Sequence, residues 1–169
     1  MTNWADLLRQ GERKALGQAK EGAALLLRQP QQLDDVLQVL KDGATDGTLV
    51  AHGFYVLKEA SLSDPALRAR SLEFCTRHLS SFPQFEAREN FLRIALIDPC
   101  FDKQLHQMAL PMTTDKSAIV AAYAVEYCLR FVAAHHPNDL AKTFDRFEKT
   151  ATRAAVRARL RRLRPTLLG

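Results

Sequence analysis

Between residues 141 and 164 the chain carries nine basic side chains against only Asp145 and Glu148. They are Lys142, Arg146, Lys149, Arg153, Arg157, Arg159, Arg161, Arg162 and Arg164. This segment holds a net +7 of a total +5, so the remainder of the chain sums to −2. Wound as a helix, Val156, Leu160 and Leu163 form a narrow apolar stripe. Arg153, Arg157, Arg161 and Arg164 line one edge of it, and Arg159 and Arg162 lie further round. Arginine is permanently charged and its planar fork matches phosphate oxygens, so the chemistry open to this edge is recognition of a nucleic acid or another anionic surface. The competing reading is a solvated terminal helix whose arginines meet the negative end of its dipole. No aromatic residue is interleaved with these arginines, which argues against single strands stacked on rings.

Other residue types offer less. Glu73, Cys75 and His78 share one predicted helix, but a Cys-x-x-His pair without an orienting partner is a weak nucleophile signal. Cys75, Cys100 and Cys128 are odd in number, widely spaced and set in apolar stretches, as expected of small hydrophobes. His52, His78, His106, His135 and His136 make no ligand pattern. Glu86, Glu89 and Arg93 have the spacing of ordinary helix-surface charge pairs. There is no Gly-rich phosphate loop, His-Glu-x-x-His or Gly-x-Ser-x-Gly. The expectation is therefore no catalytic residue, no cofactor and no metal.

The 169 residues suffice for one domain, and 47% hydrophobic with 25% charged residues is the composition of an ordinary globular protein. Seven glycines and seven prolines among abundant Ala, Leu, Arg, Gln, Glu and Lys favour helix nearly throughout. The N-terminus lacks a basic start followed by an apolar core, so no secretory signal and a cytoplasmic location are expected. The most apolar stretch, Ile119 to Ala134, has helical periodicity and is interrupted by Glu126 and Arg130 at i,i+4. It reads as a central helix covered on several sides, too short for a membrane span.

Prolines at 30, 65, 99 and 137 mark a period, and Asp64-Pro65 and Asp98-Pro99 have the form of an N-cap followed by proline in the first turn. Seven residues past each stand Leu37, Leu72, His106 and Phe144; ten past stand Leu40, Cys75, Ala109 and Phe147. Twenty past come Val50, Phe85 and Ile119, with Val156 at nineteen, opening second helices that continue through Leu57, Leu92, Tyr127 and Leu163. Gly- and Pro-containing breaks at 42–47, 80–83 and 110–114 separate the helices of the first three units, whereas the fourth has only Thr150 to Thr152. His106 is a polar residue in an apolar register, the mark of a core or boundary histidine or of a third unit shifted by one residue. The predicted organisation is an N-terminal covering helix (1–29) and units 30–64, 65–98, 99–136 and 137–169 within one all-α solenoid.

The second helices, from Phe85 to Leu96 and from Ala155 to Leu163, resemble those of HEAT or armadillo-like repeats, in which a Val-Arg or Ala-Arg step precedes small and apolar residues. The tryptophan, Leu-Gly and tyrosine positions of tetratricopeptide repeats are not matched. The resemblance implies a right-handed α-α superhelix of about four hairpins and a scaffold or protein-interaction function without covalent chemistry. It also implies an inner surface of second helices, where Arg88, Arg93, Glu126, Arg130, Arg153 and Arg157 could line a groove. A protein is the first partner class; a nucleic acid, bound as by helical-repeat DNA alkylation repair proteins, is the alternative. The aromatic and aspartate groove residues of those glycosylases have no match here. Self-association through Trp4, Leu7 and Leu8 at an open end is a further expectation.

Overall fold

The computed structural model describes residues 2–97 and 102–169; Asp98-Pro99 and Cys100 lie outside them. Every regular element among the described residues is helical, and the chain divides into two compact units, Met1–Ile97 and Asp98–Gly169. The all-α expectation holds.

The first unit contains α1 (Trp4–Arg9), α2 (Gly17–Arg28), α3 (Leu33–Asp42), α4 (Gly47–Ser63), α5 (Pro65–His78) and α6 (Phe85–Ala95). Polar caps set its boundaries: the Asp46 carboxylate accepts from the amides of Thr48 and Leu49 at the start of α4, and Asp64 accepts from Ala66 and Leu67 with Pro65 in the first turn of α5. Helix α4 is buried on most of its circumference and packs against all five other helices of the unit. Gly53 allows α3 to come close, because a Cβ there would lie 2.5 Å from Leu40 Cδ2. The predicted single covering helix is two helices, α1 and α2, joined through Gly11 at φ +81°. Trp4 and Leu8 point into this unit rather than out of it; the indole is 2% exposed and donates to Gln32 Oε1 at 2.9 Å. The apolar end foreseen for self-association is thus internal at those two positions.

The second unit contains α7 (Lys103–Met112), α8 (Ala118–His135), α9 (Leu140–Thr150) and α10 (Ala154–Leu168). Asp102 caps α7, Ser117 caps α8, and a 3-10 turn beginning at Pro137 leads into α9. The stretch at 150–152 does break the fourth pair: α9 ends at Thr150 and α10 begins at Ala154. Helix α8 is the hub, covered by α7, α9 and α10. Its 18 residues, two more than expected, and mean hydropathy of 1.3 make it long and apolar enough to cross a membrane by length and composition, contrary to the expectation from length. Against that, 56% of it is buried within the protein.

The apolar register predicted ten residues past the prolines holds, with Leu40, Cys75, Ala109 and Phe147 all buried. The second register holds at Val50 and Val156 but not at Phe85 and Ile119, which sit exposed in the first turns of α6 and α8. The side chains that complete those turns' packing lie one or two positions on, at Ala87 and Val120.

Candidate binding surface

The predicted arginine edge of α10 divides into two kinds of residue. Arg153 donates to the backbone carbonyl of Asp115 in the loop before α8, and Arg164 reaches Glu148 at 2.8 Å and Asp145 at 3.8 Å on α9. These two hold the unit together. Arg157 and Arg161 are exposed, and neither has a side-chain partner among the described residues. Arg159 and Arg162, expected further round, turn back onto Glu126 of α8.

Glu126 is the electrostatic centre of this unit. It is 5% exposed, and Arg130 (2.9 Å), Arg162 (3.4 Å) and Arg159 converge on its two oxygens. Arg159 also lies over the Tyr123 ring at 4.3 Å. A buried carboxylate needs such company, since desolvation of a lone charge costs several kcal/mol. The i,i+4 pairing with Arg130 was legible; the arginines from α10 were not, because nothing local in the sequence joins residues over 30 positions apart.

In the first unit Arg88 donates to the carbonyls of Pro83 and Gln84, and Arg93 meets Glu89 at 3.4 Å. Glu86 leaves the predicted surface pairing and instead forms a two-pronged bond with Arg13, at 2.8 and 2.5 Å, which raises the Arg13 pKa. Arg13, Glu86 and Arg93 line a pocket of about 570 Å³ with Tyr55, Glu89 and Asn90, and Arg88 is outside it. Burial pushes the Glu89 carboxyl up in spite of Arg93, and burial together with Glu59 raises the Tyr55 phenol. Lys58 is buried beside Glu59 and 4.3 Å from the Tyr55 ring. Beneath the loop carrying Arg13, His52 faces two carbonyl oxygens, Leu8 at 3.0 Å from Nδ1 and Glu12 at 3.2 Å from Nε2.

The Cys-x-x-His pair is not assembled for nucleophilic work. Burial pushes the Cys75 thiol up to about 12, and His78 lies against Phe74 at 5.1 Å. Cys128 is likewise raised to about 12. His106 is a half-buried boundary residue stacked on Phe131 at 4.0 Å, its pKa lowered by burial and then by His136 and His135. Among the described residues no group of three or more His, Cys, Asp or Glu could hold a metal ion.

No family model, curated protein or solved structure matches the chain. The surface must be read from its own geometry.

Three further cations of the second unit lie on α9. Lys142, Arg146 and Lys149 follow the spacing i, i+4, i+7, opposite the buried Leu140, Phe144 and Phe147, and border a groove of about 710 Å³ with Val132 and His136 of α8 and Asp139. The first unit carries twelve basic and twelve acidic side chains and the second twelve against seven, so the whole net charge of +5 belongs to the second. The residues expected from the sequence to bind, Arg153, Arg157, Arg161 and Arg164 with Arg88, Arg93 and Arg130, do not include these three.

Proposed function

We propose that the chain is a non-catalytic helical-repeat module of the HEAT-like kind, four hairpins behind a covering pair, that acts by binding a partner on a rigid surface. The observation that carries this is where the charged side chains are used. Glu126 is taken up by arginines of its own helix and of α10, Glu86 by Arg13, and Arg164 by two acids of α9. Groups that would otherwise serve as acids, bases or anion ligands fasten helices to one another. What is left facing outward is a fixed helical surface, suited to complementarity of shape and charge rather than to covalent chemistry. A protein segment and a nucleic acid both suit such a surface.

The test is a photo-reactive amino acid placed singly at Phe85, Lys149 and Arg161, with exposed Glu21 and Gln38 as reference positions, in cells that make the protein. A discrete adduct at one or more of the first three is expected, and its sensitivity to protease or nuclease reads the partner class. Adducts at no position above the references would remove the reading.

A further inference from the structure

We propose that the unit Asp98–Gly169 binds the phosphate backbone of a nucleic-acid duplex through Lys142, Arg146 and Lys149 of α9 and Arg157 and Arg161 of α10. The inference rests on the binding-module reading and names the partner of one of its surfaces.

The argument begins with what the acids of this unit do. Glu126 is enclosed by arginines, Asp145 and Glu148 receive Arg164, Asp102 caps α7, and Asp115 accepts from the Ser117 amide at 2.8 Å. These carboxylates are engaged internally, and Asp139 stays exposed at the groove; among the described residues Lys142, Lys149, Arg157 and Arg161 have no side-chain partner, and Arg146 lies 5.3 Å from the Phe147 ring. The five are not dispersed. Arg164 lies on the same edge of α10 as Arg157 and Arg161 and reaches α9, so that edge faces α9. The α9 row lies on the same hairpin, opposite that helix's buried face, and borders the groove with Val132 and His136. Within each helix a step of four residues places successive cations about 6 Å apart on a straight scaffold.

That pattern selects among anions. A single bound phosphate would draw several cations onto one point, but these five are strung along two helices, which suits a repeating anionic backbone. The row carries no exposed aromatic residue on which single-stranded bases could stack. It also lacks the apolar face that would insert into a lipid headgroup region, since the apolar side of α9 is buried. A duplex, read by its charge alone, is the occupant that remains. Binding should therefore be indifferent to base sequence.

The experiment is fluorescence anisotropy of labelled DNA and RNA duplexes, and of single strands, titrated with the full chain between 50 and 200 mM salt; anionic phosphatidylserine vesicles serve as a parallel probe. Five neutralised phosphates predict a loss of duplex affinity of about 500-fold across that range. Changing Lys142, Arg146 and Lys149 together to Gln should reduce the log–log salt slope by about 3, and Arg157→Gln with Arg161→Gln by about 2. Arg164→Gln, at a position with internal partners, should leave the slope unchanged; circular dichroism establishes that each variant is folded. Three outcomes overturn the proposal: no duplex binding, duplex binding insensitive to both multiple variants, or tighter binding to single strands or vesicles than to duplex. Should duplex binding be absent while protease-sensitive adducts form at Lys149 or Arg161, the partner assigned here is wrong and the binding-module reading stands.

Discussion

Glu126 shows how far a single residue's role depends on neighbours remote in sequence. Its carboxylate is buried and Arg159 beside it is only 16% exposed, so removing the negative charge strands a desolvated guanidinium. Glu126→Gln should cost roughly 3 kcal/mol in urea unfolding, while Glu126→Leu combined with Arg159→Leu should recover most of that loss, because the penalty comes from an unpaired ion. A double variant as unstable as the single would show that the pair contributes more than it costs to bury. His106 gives a second residue-scale prediction. Its folded pKa is lowered, so the folded state binds fewer protons than the unfolded chain in the interval below the ordinary histidine range. Stability supplied by this residue falls as pH drops through that interval and returns as pH rises. His106→Phe keeps a ring against Phe131 and should abolish that part of the pH dependence, raising the melting temperature relative to the native protein in mild acid and less so at neutral pH. Parallel melting curves at pH 5 and 7.5 would sink the assignment if the two proteins shifted equally.

At the scale of the element, the helices form where caps and apolar periodicity coincide, and two central ones are apolar on most sides. The sequence announced α8 through its long apolar run, broken only at Glu126 and Arg130. It was quieter about α4, whose buried positions include His52, Gly53, Lys58 and Ser61, residues that a hydrophobicity count discounts. Packing and pairing explain each of them: His52 faces two carbonyls, Lys58 pairs with Glu59, Ser61 Oγ donates to the Leu57 carbonyl at 2.6 Å, and, last, Gly53 admits Leu40. The last of these sets two effects against each other. Alanine at 53 gains about 1 kcal/mol of helix propensity, but its Cβ would stand 2.5, 3.0 and 3.3 Å from three atoms of a fully buried leucine. The clash should win, so Gly53→Ala destabilises by roughly 1 kcal/mol in urea titration, and Leu40→Val in the same chain should relieve part of it. A stabilised Gly53→Ala would mean that α3 yields easily.

For the whole molecule the governing asymmetry is charge. Converting Lys142, Arg146, Lys149, Arg157 and Arg161 together to Gln removes five positive charges from a chain whose net is +5. The variant should focus near neutral pH instead of near the native sequence pI of 9.3 and precipitate more readily in polyethylene glycol at pH 7, without loss of helicity, because none of the five takes part in an ion pair that joins helices. Loss of helicity would show that some of these residues hold the fold. The all-helical character and most helix boundaries were legible in the sequence because caps, prolines and apolar spacing are local signals, although Pro111, expected in a break, lies inside α7. The partners of the individual arginines were not legible. Which arginine is free and which is bound depends on contacts across helices, and Arg153 and Arg164 look the same as Arg157 and Arg161 until Asp115, Asp145 and Glu148 are brought beside them.

The buried Glu126 carries one more implication. Helices α8 and α10 pack on each other, and the buried residues of both include many small and aliphatic side chains, which set a helix's position along its axis less firmly than a paired charge does. A single anion gripped from both helices removes that freedom, since displacement along the axis by one turn would pull Arg159 away and leave a charge in hydrocarbon. The ion pair thus works as a locating pin that indexes α10 along α8. The positions of Arg157 and Arg161 on the surface are inherited from a residue that is itself buried.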